Sequence, residues 1–239
     1  MKSIEGTYVK LDDQPVKTDF DFGWKAWRKK RPDADLALQH QRGSILEVGC
    51  GTCELYRFLR AQGWNGDYYG IDLQRYEGYE YPEDIKLIIG DAFDVEFPPA
   101  DTVVLYSILE HVDDPRRLLN KALEHCQHNV LIDVPKRNEE LWTYGILEYH
   151  QLDKTHKHCG FSTEELKALI NASGGTITAY EEWGAVTALA GTRLWNNLAP
   201  KAIIWLLARI FSSKTFYGEM WCDVTPAIRI ADSANSLEE

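Results

Sequence analysis

Three carboxylates and one glycine turn are the residues best placed to do chemistry. Glu47 stands inside the stretch ILEVGCGTCEL, just ahead of Gly49-Cys50-Gly51, while Asp72 and Asp91 each close a further short apolar run. A strand that enters glycines and leaves as a helix sets bare backbone N–H groups against a ligand, a geometry suited to a phosphate or a carboxylate. The dinucleotide fingerprint G-x-G-x-x-G breaks at Glu54, where bound pyrophosphate would meet a like charge, and no G-x-x-x-x-G-K-[ST] occurs. A ring of acids instead suits a ligand with hydroxyls, an amino group and positive charge.

Histidines form the second group. His150, His156 and His158 fall in one run with Asp153, YHQLDKTHKHCGFS, and His111 stands in SILEHV. Histidine is the side chain able to take a proton from a hydroxyl near neutral pH. His150, Asp153, His156 and His158 are also metal-ligand types, but their spacing matches no standard site, so no metal is expected. Cys50 and Cys53 have C-x-x-C spacing without a second pair, and read as small residues fitted into a tight turn.

The elements that must position these groups follow from periodicity. Strand-like runs recur at 44–49, 67–73, 85–90, 102–106 and 130–134, with helical patterns at 54–62, 115–126 and 163–172. This alternation predicts a parallel sheet covered on both faces, with ligands beyond the carboxyl ends of its strands. Asp114-Pro115 reads as a helix start, and Ser162 with Glu165 as a capping box. Runs at 176–183 and 216–230 read as closing strands.

At 239 residues with 44% hydrophobic content, the chain suits one large domain. A formal net charge of -11, from 26 basic and 37 acidic residues, repels nucleic acid over most of the surface. Five cysteines and an N-terminus without an apolar signal core point to a reduced, cytoplasmic setting. Residues 1–42 hold Phe20, Phe22, Trp24 and Trp27 among charges and are expected to form a partly helical cap. Residues 192–215 are expected to form an apolar helical insertion before the last strand, too short to span a membrane. Ile203, Ile204, Leu207, Ile210 and Phe211 would share one face. Core or homodimer packing, a lid over a bulky acceptor, or peripheral membrane contact are the uses open to it.

With ILEVGCGTCEL, YYGIDLQ, IIGDAFDVEF and DTVVLYSILEHVDDPRRLL in that order, the chain from about Ser44 to Gly174 resembles the class I S-adenosylmethionine-dependent methyltransferases. The resemblance implies a Rossmann-like α/β fold with a seven-stranded mixed sheet ending in an antiparallel hairpin, residues 43–239 forming the methyltransferase domain. It places Glu47 at the amino-acid end of S-adenosyl-L-methionine, and packs Gly49, Cys50 and Gly51 against it. Asp72, followed by Leu73, would take the ribose hydroxyls, Asp91 and Ala92 would face the adenine, and Tyr106 and Ser107 would flank the sulfonium. Cys53 stands where such chains often carry a third glycine. The run Asp153–Ser162 is similar to the D-x-T-H and F-[ST] connection of methyltransferases acting on glycans and small molecules. It makes His156 the first candidate base, with Asp153 orienting it; His111 is the second, in a place where family members often pack a histidine beneath the cofactor. The expected reaction is O-methylation of a small-molecule or glycan acceptor. The rivals are a dinucleotide oxidoreductase and a catalytically silent cofactor-binding scaffold.

Overall fold

The computed structural model describes residues 32–139, 150, 153–185 and 217–227. In chain order the elements are α1 (Pro32–His40), β1 (Ile45–Val48), α2 (Glu54–Ala61), β2 (Tyr68–Asp72), β3 (Lys86–Ile89), β4 (Ala100–Tyr106), α3 (Pro115–His125), β5 (Cys126–Pro135), α4 (Thr163–Ala172), β6 (Gly175–Ala185) and β7 (Tyr217–Pro226). The seven strands form one sheet in the order β3-β2-β1-β4-β5-β7-β6. From β3 to β5 all neighbours are parallel; β7 runs antiparallel to both β5 and β6. The expected mixed sheet with its antiparallel hairpin is therefore present.

Strand side chains alternate between two cores. Leu46, Val48, Val103, Leu105 and Ile132 pack with α3 and α4, whereas Ile45, Val104, Leu131 and Trp221 pack with α1 and α2. On α3, Leu118, Leu119 and Leu123 are buried, and Asp114 caps the helix by accepting from the Arg117 N–H at 2.9 Å. Burying one leucine side chain is worth about 1.5–3 kcal/mol against about 1 kcal/mol for such a cap, so packing fixes α3 and the cap sets its start. Helix α4 carries the predicted capping box between Ser162 and Glu165.

Two boundaries differ from expectation. Strand β5 begins at Cys126, directly after α3, because Ala100 pairs with Cys126 and Thr102 with Asn129 ahead of the apolar run. Gln127 and His128 are exposed there, so hydrophobic periodicity does not register them. Within the expected 1–42 cap, α1 is part of the second core: Ala34, Leu36 and Ala37 are buried in it. His40 Nδ1 bonds Asp223 on β7 at 2.9 Å, and its carbonyl accepts from the Asn129 amide at 3.1 Å. Residues 1–31 and the expected helical insertion at 192–215 lie outside the described residues. Among the described residues, no helix is long and apolar enough to cross a membrane.

Candidate active site

The chain leaves β1 toward β2 and β3 on one side, then returns to β4 on the other. The crevice at this switch lies beyond the carboxyl ends of β1 and β4, the usual ligand position in open α/β sheets. The turn that lines it is built on left-handed backbone: Gly49 has φ 78° and Gly51 φ 53°. A Cβ on Gly49 would come within 3.0 Å of Ile108, whereas one on Gly51 would meet nothing within 4 Å. Gly51 thus presents open space as well as unusual torsion. Gly70 on β2 solves a different problem: a Cβ there would lie 2.7 Å from the Cys50 sulfur. The missing side chain at residue 70 is what admits Cys50 beneath the turn.

The third-glycine position is answered by Cys53. It adopts φ 60°, ψ 43° as the residue capping α2, is fully buried, and makes no side-chain cap bond. A non-glycine residue in this region costs about 1–2 kcal/mol. Its hydrogen bond with Cys50, followed by burial, pushes the Cys50 thiol well up, so Cys50 stays protonated.

Asp72, at the tip of β2, accepts from the Gly51 N–H at 2.8 Å through Oδ2 and from the Gln74 N–H at 3.5 Å through Oδ1. Burial raises its carboxyl above the ordinary range against the pull of these N–H groups. Leu73 beside it is 71% exposed, a large apolar side chain left uncovered. Asp91 is exposed and accepts from the Phe93 N–H at 2.8 Å. Ala92 is held from below: the Lys121 ammonium donates to the carbonyls of Ala92, Phe93 and Val95 at 2.8, 3.3 and 2.6 Å.

Glu47 is buried and accepts from the Tyr68 hydroxyl. Ser107 is exposed with φ 48°, and its N–H donates to the Asp133 carbonyl at 2.8 Å. The Tyr106 side chain takes the core face: its hydroxyl donates to the Asp33 carbonyl at 3.0 Å and accepts from the Trp221 indole at 2.8 Å. Tyr106 lies with Val104 in the α1 core, so only its backbone remains for the crevice. Burial holds its phenol far above the ordinary range.

Two residues beyond Ile108, the predicted histidines meet an acid that sequence reasoning passed over. The His111 and His156 rings pack edge to face at 4.5 Å, and Glu110 Oε1 lies 3.9 Å from His111 Nε2. Asp153 orders both rings. One of its oxygens lies 3.5 Å from His156 Nε2. The other accepts from the Thr155 hydroxyl at 2.6 Å, and that hydroxyl oxygen accepts in turn from His111 Nδ1 at 3.1 Å. Burial lowers both imidazoles, so they stand neutral, and burial pushes the Glu110 carboxyl up to about 8. Glu110 Oε2 and His156 Nδ1 are buried with no hydrogen-bond partner. The signal for Glu110 was an acid amid the apolar SIL and V of SILEHV. His158 is drawn away, its Nε2 bonding the Val112 carbonyl at 3.1 Å. His150 is buried, with its imidazole pushed down to about 4.

The sheet order, the left-handed glycine turn and the acid at the tip of the next strand define a Rossmann-like class I methyltransferase fold. Residues 24–180 match the methyltransferase-domain family, and the chain belongs to that family. Its methyl donor is S-adenosyl-L-methionine, which the open face at Gly51, the Asp72 carboxylate and exposed Leu73 fit. No curated protein matches the sequence. A chain in the complex of the Haloferax volcanii Trm112 methyltransferase activator with a methyltransferase is 15% identical, with TM-score 0.62 over 88% of this chain and 97% of that one. An Archaeoglobus fulgidus SAM-dependent methyltransferase is 16% identical, with TM-score 0.53 over 85% and 99%. The SAM-bound magnesium protoporphyrin IX methyltransferase of Synechocystis PCC 6803 is 10% identical, with TM-score 0.54 over 94% and 92%.

Proposed function

We propose that the chain transfers a methyl group to an oxygen of a small-molecule or glycan acceptor. The observation that carries this reading is the bare Nδ1 of His156, buried without a partner while Asp153 faces the opposite ring nitrogen. Bound S-adenosyl-L-methionine supplies a methyl group on a sulfonium, already an effective leaving group, so alignment in a dry pocket does most of the work. Asp72 receives the ribose hydroxyls, and Leu73, Asp91 and Ala92 line the adenine side. Glu47, Gly49, Cys50 and Gly51 form the wall toward the amino-acid end, completed by the Tyr106 and Ser107 backbone. On the acceptor side, His156 Nδ1 takes the hydroxyl proton and Asp153 stabilises the imidazolium that forms. His111, tied to Thr155, sets the position of the His156 ring.

The test is a screen of phenolic and sugar hydroxyl acceptors, following release of S-adenosylhomocysteine and the mass of the product. O-methylated products are expected. His156→Ala should lower turnover at least about 100-fold, within the span of general-base effects, and leave cofactor affinity unchanged. Full turnover by this variant at neutral pH removes His156 as the base, and exclusively N-methylated products remove the acceptor assignment.

A further inference from the structure

We propose that Glu110, His111 and His156 form a binding site for one divalent first-row metal ion, with Asp153 and Thr155 orienting the two imidazoles. Each of the three residues offers a ligand atom within 4.8 Å of those of the other two. Two imidazoles and one carboxylate are the donor set of open zinc sites and of related first-row ions. An ion about 2.0–2.2 Å from each donor needs donors roughly 3–3.5 Å apart, so the three donors, which lie within 4.8 Å of one another, draw together on binding.

The hydrogen bonds choose which nitrogens face inward. Thr155 Oγ1 gives its proton to Asp153, so its oxygen receives the His111 Nδ1 proton, and Nε2 is left bare toward Glu110. His156 turns Nε2 toward Asp153 Oδ2, leaving Nδ1 bare. This is how metal-binding histidines are commonly oriented: the nitrogen away from the ion is held by a carboxylate or an oxygen acceptor. The inward atoms are also the ones that are hard to explain otherwise. Glu110 is 1% exposed with one carboxylate oxygen unpartnered, and Nδ1 of His156 is also buried without a hydrogen bond. Buried polar atoms of this kind are nearly always paired, and a bound cation would satisfy both at once.

The cluster follows Ile108 in the chain, and the Ile108 side chain lies against Gly49 of the crevice turn. The site deepens the proposed function and rests on it only for the role of the ion. An acceptor hydroxyl bound to the cation sheds its proton to water more readily, the task that falls to His156 in the metal-free chain.

The full-length chain, stripped with a chelator and dialysed, is titrated with zinc chloride by calorimetry and with cobalt chloride by visible absorption. One saturable equivalent is expected, with cobalt bands that the aqueous ion lacks. Glu110→Gln and His156→Gln should each weaken zinc binding at least about 100-fold, and Asp153→Asn about 10–100-fold. His128→Gln, at an exposed histidine outside the cluster, should leave it unchanged. Absence of saturable binding overturns the site, as does binding that survives Glu110→Gln and His156→Gln. S-adenosylhomocysteine affinity is measured on the same samples. Cofactor binding without metal binding sinks the cation site alone; metal binding without cofactor binding sinks the methyltransferase reading and leaves the site standing.

Discussion

Gly70→Ala tests how the cofactor turn is supported from beneath. The new methyl carbon would lie 2.7 Å from the Cys50 sulfur, 3.2 Å from the Cys50 Cβ and 3.4 Å from a Leu87 methyl. Ordinary contacts of this kind begin near 3.4 Å, so the sulfur overlaps by roughly 0.7 Å while the Leu87 contact is tolerable. Cys50 is 5% exposed and Ile71, next on β2, is 1% exposed, so neither side can yield without moving backbone. Overpacking of one methyl group costs about 1–3 kcal/mol. The strain falls on the Gly49–Gly51 turn, so affinity for S-adenosylhomocysteine should drop along with stability. Cys50→Ala alone should cost about 1 kcal/mol for the lost buried thiol. The double variant removes the clashing sulfur and should recover most of the Gly70→Ala loss. Urea unfolding of the four proteins gives the coupling energy, expected at about 1–2 kcal/mol in the rescuing sense. Coupling within the roughly 0.5 kcal/mol scatter of independent sites would refute the packing reason for Gly70.

With Asp72 proposed to receive the ribose hydroxyls, Asp72→Ala should weaken S-adenosylhomocysteine binding by about 1–3 kcal/mol through loss of charge-assisted hydrogen bonds; unchanged calorimetric affinity would remove the ribose assignment. Since burial raises the Asp72 carboxyl, wild-type affinity should fall with acidification while the pH is still above the ordinary carboxylate pKa, and Asp72→Asn should flatten that fall. Asp101 behaves oppositely: hydrogen bonds from Ser44 Oγ and N, at 2.6 and 2.8 Å, hold its carboxyl low. Its stabilisation is present above the unfolded pKa and lost as pH falls through the folded one, so Asp101→Asn should reduce the acid-side slope of a stability-against-pH curve.

The strands were legible because parallel, doubly covered strands are apolar runs, and Ile45–Val48, Tyr68–Asp72 and Ala100–Tyr106 meet that condition. What escaped depended on facing and register. Alternation along β4 says that Tyr106 and Val104 share a side but not which side, and its partners Asp33 and Trp221 are distant in sequence. Cys53 in a left-handed conformation breaks the glycine rule that flagged the turn. Glu110 escaped because, apart from neighbouring His111, the residues that gather at it arrive from a connection more than forty residues later. The histidine run was legible as a group and its D-x-T-H pattern put His156 first; what spacing does not reveal is that His158 turns to the Val112 carbonyl.

The position of β7 between β5 and β6 has a consequence for biosynthesis. Strand β6 leaves the ribosome before β7, but among the described residues its ladder in the sheet is with β7 alone. A nascent chain halted before Tyr217 therefore carries the outer edges of β5 and β6 without their shared partner, a state open to intermolecular strand pairing. Trp221, whose indole anchors the Tyr106 hydroxyl below the end of β4, arrives with that same late strand. The core contact behind Tyr106 is thus completed only after nearly all of the described chain has been synthesised.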